Sequence, residues 1–198
     1  MPDVILASAS RTRGAMLENA GVPFTALPPG VDEDAVKASL KGEGATAAEA
    51  AEALAEIKAT RLSQRHHGAL VIGADQMLVC DDRWYDKPAD RLAARGQLLE
   101  LRGKTHHLVT ASVVMLGGQR IWHHVETAKL TMRPFSEEFL EQYLDKAGDA
   151  VLSSVGAYQL EAAGAQLFSR VEGNHFVILG LPLLPLLDFL RVHGVLAS

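Results

Sequence analysis

Leu70-Val-Ile-Gly-Ala-Asp-Gln-Met-Leu-Val-Cys80, continued by Asp81-Asp-Arg-Trp-Tyr-Asp-Lys-Pro88, is the stretch on which the fold turns. An apolar run of this length, bounded by Gly68 before it and Asp81-Asp82 after it, has the pattern of a strand buried on both faces. Asp75 interrupts the run. A carboxylate inside such a strand costs several kcal/mol to bury unless a cation, a metal or a hydrogen-bond donor meets it, so its presence needs a cause. Lys87-Pro88 follows a short Trp84-Tyr85 strand, and a hairpin would return that lysine beside the aspartate. Two readings stay open: an acid and a base sharing a cleft, or a structural salt bridge.

The chain of 198 residues is 48% apolar with a net charge of -5, which places it among globular proteins and excludes a general basic field for binding nucleic acid polymers or anionic membrane. Its one cysteine, Cys80, cannot form an internal disulfide. With no signal-peptide pattern at Met1-Pro2-Asp3, the expected location is the cytoplasm. The most apolar stretch, Phe176 to Leu187, is broken by Gly180, Pro182 and Pro185 and falls short of the ~20 residues that span a bilayer.

Upstream, Val4-Ile-Leu-Ala7 reads as a strand running into Ser8-Ala-Ser-Arg-Thr-Arg13, after which Met16, Leu17 and Ala20 recur at helical spacing and Gly21 ends the helix. Hydroxyls and guanidiniums thus meet at a helix N-terminus, where N–H groups and the dipole favour an anion, and a phosphate suits them better than a lone carboxylate. A plain N-cap at Ser8 or Ser10 is the alternative. Phe24 to Leu27 reads as a second strand, closed by Pro28-Pro29-Gly30 and followed by Asp32-Glu33-Asp34. These acids fit either a solvated helix start or, through Glu33, a divalent-cation ligand. Lys37 to Ala48, with weak periodicity and two glycines, is expected to be a mobile segment. Ala48 to about Arg65 is helical by composition, and Lys58 falls on one stripe with Leu54 and Leu62. It either snorkels to water or points into a pocket as a phosphate ligand.

Downstream, Ala89 to Leu101 reads as a helix. Gly103-Lys-Thr105 is not a P-loop, because Leu98 stands where the motif needs its first glycine. Val109–Leu116 and Ile121–Met132 are expected to be two strands joined by Gly117-Gly118. The histidine pairs at 106–107 and 123–124 point to opposite strand faces, so neither pair chelates one ion by itself. Ser136 caps a helix with Glu137 and Glu138 in its first turn, and Pro182 opens a closing core helix over Leu183 to Val192.

Several segments together resemble one family. Leu6-Ala-Ser-Ala-Ser10 with Arg13, Val31-Asp-Glu33, Leu54-Ala-Glu-Ile-Lys58-Ala, Gly73-Ala-Asp75-Gln76, Lys87-Pro88, Gly103-Lys-Thr-His106 with Thr110, Val155-Gly-Ala-Tyr158 and Gly180-Leu-Pro182-Leu follow the order and approximate spacing of the Maf (septum formation inhibitor) family across nearly the whole chain. The resemblance implies a nucleoside triphosphate pyrophosphatase of α/β, Maf/ITPase-like architecture. In it an elongated mixed sheet flanked by helices, here one domain over 1–198, forms two lobes around a nucleotide-binding cleft, often as a homodimer. It makes Asp75 the general base or a metal ligand and gives Glu33 a share of a divalent cation, Mg²⁺ or Mn²⁺. It gives Ser8, Ser10, Arg13, Lys58 and Lys87 the triphosphate. Gln76 and Glu161 resemble the branch acting on 7-methylguanosine triphosphate rather than the branch acting on dTTP and UTP, while Thr12 departs from both. A carboxylate can accept from N1–H and the exocyclic amine of guanine at once. Hydrolysis competes with a second function, a non-catalytic nucleotide sensor regulating cell division. The retention of Asp75, Lys87 and Glu33 favours the enzyme.

Overall fold

The computed structural model describes residues 2–197; Met1 and Ser198, the two ends of the domain expected over 1–198, lie outside the described residues. In chain order the elements are β1 (Val4–Ala7), α1 (Arg11–Asn19), β2 (Thr25–Ala26), α2 (Glu33–Gly42), α3 (Ala47–Ser63), β3 (Leu70–Cys80), β4 (Arg83–Tyr85) and α4 (Arg91–Leu101). Then come β5 (Thr105–Leu116), β6 (Gln119–Met132), α5 (Glu137–Ala147), three 3-10 turns within residues 148–167, β7 (Phe168–Glu172), α6 (His175–Ile178) and α7 (Leu183–Val192). The strands form one mixed seven-stranded sheet, ordered β2-β1-β3-β5-β6-β7, with β4 paired to β3. β1 runs parallel to both β2 and β3, whereas β4 on β3 and β7 on β6 are antiparallel.

The chain divides into two compact units. The first comprises Met1–Gln76, Val109–Glu126 and Asn174–Ser198. Alternation along β3 organises it: Leu70, Ile72 and Ala74 join Leu6, Leu17 and α7 residues such as Leu186 in one apolar core. Gly73 and Asp75 point to the other face, where α3 lies. A Cβ on Gly73 would stand 2.0 Å from the Ala55 carbonyl oxygen and 2.9 Å from Ala59 Cβ, so only glycine lets α3 come this close to the strand. Helix α3 is started by a capping box, in which the Thr46 side chain accepts from the Glu49 N–H and the Glu49 carboxylate accepts from the Thr46 N–H.

The second unit comprises Met77–Leu108 and Thr127–Gly173. Here α4 packs against α5 and the 3-10 turns. Leu98, Leu101, Leu130 and Met132 are fully buried in its core. The hairpin into β4 turns on Asp81 and Asp82, both in the left-handed region at φ 49° and 61°, and the β5–β6 connection turns on Gly117 and Gly118 at φ 57° and 81°. Two consecutive positive φ values match the twist of a two-residue hairpin. Cys80 is a buried free thiol.

Two local expectations are corrected. Residues 37–48, expected as a mobile segment of weak periodicity, are largely helical: α2 occupies Glu33–Gly42, capped by the Asp32 side chain at the Ala35 N–H, and α3 begins at Ala47. No residue of α2 is buried, and its apolar stripe is reduced to Val36 and Leu40, both half-buried. The second strand shrinks from Phe24–Leu27 to Thr25–Ala26. No helix among the described residues is long and apolar enough to cross a membrane.

Candidate active site

A β2-β1-β3 order with parallel pairing puts β1 between strands reached by connections in opposite directions. The crevice beyond the carboxyl end of such a strand is where open α/β sheets bind ligands. The chain leaves that end of β1 through Ser8-Ala9-Ser10 into α1. Ser10 is the N-cap, its hydroxyl accepting from the Arg13 N–H at 3.3 Å. The buried Ser8 hydroxyl accepts from the Ser10 N–H at 3.1 Å and from Arg13 Nη1 at 3.4 Å. Arg13 is clamped further: Nε donates to the Gly180 carbonyl at 2.7 Å and Nη1 to the Ala74 carbonyl at 2.9 Å. Gly180 has φ 95°, and a side chain there would sit against the guanidinium, 3.4 Å from Nε. Burial pulls the Arg13 pKa down while the charges of Asp75 and Glu33 oppose that fall, and the group stays a cation.

On the α3 face, Asp75 and Lys58 are both buried, at 4% exposure each. Lys58 Nζ lies 2.6 Å from Asp75 Oδ1 and 2.8 Å from Oε1 of the partly exposed Glu33. The cation that meets the buried carboxylate is therefore Lys58, from the helix admitted by Gly73, and the lysine does not snorkel to water. The ladder between β3 and β4 ends at Leu78–Tyr85, short of Lys87. Pro88, without an N–H, could not prolong it. Lys87 is an exposed residue of the second unit. Asp75 Oδ2 is buried with no hydrogen-bond partner, an orphan acceptor beside a satisfied twin.

Gln76 points to the opposite face of β3 from Asp75. Its Nε2 donates to Thr110 Oγ1 at 2.9 Å and to the carbonyls of Val177 and Ile178 at 2.9 and 3.1 Å. Thr110 Oγ1 itself donates to Val177 O at 2.9 Å, so it can only accept from Gln76. That fixes the amide with its nitrogen toward α6 and leaves Oε1, an acceptor, outside these bonds. Thr12 is half-buried in the first turn of α1, and Glu161 is exposed in the second unit. The structure thus brings together Ser8, Ser10 and Arg13 as one cluster and Lys58, Asp75 and Glu33 as another, both in the first unit. Residue reading assigned no supporting role to Gly73, Gly180 or Thr110, whose work is to hold a helix, a guanidinium and an amide in place. The glycine two residues before Asp75 was the available signal.

A family model described as Maf-like protein matches residues 3–193. A curated relative named nucleoside triphosphate pyrophosphatase, from Paramagnetospirillum magneticum, is 62% identical over 97% of this chain and 99% of its own. Relatives of the same name from Rhodospirillum rubrum and Caulobacter vibrioides are 59% and 54% identical, over 100% and 98% of this chain and 98% and 96% of theirs. Among solved structures, lipoprotein GNA1162 from Neisseria meningitidis aligns with 77% of this chain and 100% of its own at 15% identity and a TM-score of 0.31, too slight a likeness to bear on the fold. With the motifs in order, the family model spanning nearly the whole chain and relatives above half identity at full length, the chain belongs to the Maf-like family.

Proposed function

We propose that this protein hydrolyses a nucleoside triphosphate to the monophosphate and pyrophosphate. The observation that carries the reading is the cluster of buried Lys58 and Asp75 with the partly exposed Glu33, in the same unit as a hydroxyl- and arginine-bearing helix N-terminus. Ser8, Ser10 and Arg13 suit triphosphate oxygens, with first-turn N–H groups that have no partner inside the helix adding to them. Lys58 suits the phosphates by its cationic charge, and Lys87 is proposed as a further phosphate ligand. Asp75 Oδ2, buried and without a hydrogen-bond partner while Oδ1 is tied to Lys58, is the proposed acceptor of the proton of an attacking water. The oxygen of that water forms a bond to the α-phosphorus, the bond to the bridging oxygen breaks, and pyrophosphate departs. Three relatives bearing the name of this activity support the reading.

A divalent cation, Mg²⁺ or Mn²⁺, fits the donors present. Among the described residues no cluster of three or more His, Cys, Asp or Glu side chains forms a closed protein cage. The Glu33 carboxylate would supply one hard ligand and phosphate oxygens most of the rest, in the manner usual for Mg²⁺, with Asp75 as the alternative ligand should it hold the cation rather than act as the base. When bound, the ion would neutralise charge gathering on the phosphates. For the base, the Glu161 carboxylate can accept from the N1–H and the exocyclic amine of a guanine at once, and 7-methylguanosine triphosphate is the proposed preference, with Gln76 and Thr12 also proposed to bear on base choice. The protein is proposed to work in the cytoplasm, as a homodimer.

The test is pyrophosphate release with Mg²⁺ or Mn²⁺ across canonical and modified nucleoside triphosphates, for the wild type and Asp75→Asn. Removing the base should cost roughly 10²–10⁴-fold in kcat while nucleotide binding persists. Unchanged turnover would overturn the role of Asp75. Release confined to dTTP and UTP would overturn the base preference, and binding without release would favour a nucleotide sensor instead.

A further inference from the structure

The second unit holds a buried hydrogen bond that the proposed reaction does not use. His106 near the start of β5 is fully buried, and its Nε2 lies 2.7 Å from the hydroxyl of the buried Tyr158. Nδ1 of the same ring has no partner. If Nε2 donated, both the Nδ1 lone pair and the tyrosine proton would be left unpaired. If the tyrosine donates to Nε2, only the Nδ1–H is. The second arrangement leaves fewer buried groups unsatisfied, so Tyr158 is the donor and the imidazole is neutral. Burial, which pushes the His106 pKa down to about 4, agrees with that. Ring contacts frame the pair: Tyr158 meets Phe168 edge-on at 4.8 Å, and His106 lies 5.8 Å from the same ring.

The bond anchors a strained bend. Gly156 and Ala157, the two residues before Tyr158, have φ 76° and 60°. For alanine this left-handed conformation persists only where its surroundings impose it. They do so here: Tyr143 donates its hydroxyl to the Ala157 carbonyl at 3.0 Å, and the Ala157 N–H reaches the Ser154 carbonyl at 3.3 Å. At Gly156 a Cβ would stand 2.5 Å from Leu78 Cδ1 and 2.8 Å from the Tyr158 ring. Directly after Tyr158 the chain turns tightly, with the Ala162 N–H on the Gln159 carbonyl at 3.2 Å, and Glu161 sits exposed in that turn. Tyr158 is the last buried side chain before Glu161.

We propose that His106 and Tyr158 are positioning residues for nucleobase choice: their hydrogen bond locks the left-handed Gly156–Ala157 bend and so fixes the turn that presents Glu161. Neither residue touches the nucleotide. The proposal rests on the reading of Glu161 as a base acceptor, and its test separates the two. In the full-length protein, kcat and KM for 7-methylguanosine triphosphate and for UTP are measured in the wild type, Tyr158→Phe, His106→Gln, their combination and Glu161→Gln. Tyr158→Phe is expected to shift the ratio of the two kcat/KM values by about fivefold or more, through KM of the guanine nucleotide, with kcat changed less than about twofold. His106→Gln, whose amide oxygen can still accept from the tyrosine, should stay near the wild-type ratio. The double variant should be no worse than Tyr158→Phe alone, as expected for partners in one bond.

A purely structural role would lower the unfolding midpoint of Tyr158→Phe and leave the ratio unmoved. That result, with a shifted ratio in Glu161→Gln, overturns the proposal and spares the reading of Glu161. A shifted ratio in Tyr158→Phe with none in Glu161→Gln overturns that reading and supports the bend as the determinant of base choice. Silence in both overturns both. Should Tyr158→Phe fail to fold, His106→Leu against His106→Gln supplies the same contrast. Should the wild type release no pyrophosphate, the activity is overturned and the same ratio is read from equilibrium dissociation constants.

Discussion

Lys58 answers two carboxylates at once. With Asp75 and Lys58 both buried, the pair belongs to the class in which each charge is tolerable only because of the other. Lys58→Met keeps the side-chain volume and leaves Asp75 as an uncompensated buried acid. The expected loss is about 3–5 kcal/mol of unfolding free energy. Adding Asp75→Asn to that variant should recover a large part of the loss, because the lone charge is then gone. Urea unfolding of the two single variants and the double variant checks this, and additive losses would show that the two residues do not share one interaction. Both residues could be picked out from the sequence alone, Asp75 because it interrupts an apolar run and Lys58 because it lies on an apolar stripe. Their partnership could not. It joins positions seventeen residues apart on a helix and a strand, and nothing local in either pattern says which cation meets which acid.

At the scale of elements, the close seat of α3 on β3 decides where Lys58 stands. Gly73→Ala would force a methyl to 2.0 Å from a backbone oxygen of α3, which no rotamer change relieves. The helix has to shift. Overpacking of this kind costs roughly 1–3 kcal/mol, and here it should also draw Lys58 away from Asp75 and depress kcat. Thr46→Ala, which weakens the capping box at the far end of the same helix, is the control: about 1 kcal/mol of stability with kcat retained. Equal effects of the two on kcat would show that the seat of the helix does not matter to turnover. The long strands and the alanine-rich helix were legible because their periodicity or composition is strong. Helix α2 was not, since it buries no residue and is held by an Asp32 cap, acids in its first turn and Lys41 in its last, signals that also suit a polar loop.

Over the whole molecule, β3, β5 and β6 each contribute residues to both compact units, and no linker divides them. One tryptophan reports on each, Trp122 in the first and Trp84 in the second. Single Trp→Phe variants of these should show unfolding transitions in urea with the same midpoint, as for one cooperative domain. Separate midpoints would mean that the units melt independently. The fold class could be read from buried strands alternating with helices, but the β2-β1-β3 order could not, because strand order is set by crossovers that leave no mark in local pattern. The period of two along β3 has one more consequence, for how such a chain can change over evolutionary time. Asp75 and Gln76 face opposite sides because they are neighbours, and inserting or deleting one residue before them would exchange their sides and turn every later side chain of the strand over. Point substitutions can retune either face of this strand separately, whereas a length change inside it alters both at once, so β3 is more tightly held in its count than in most of its letters.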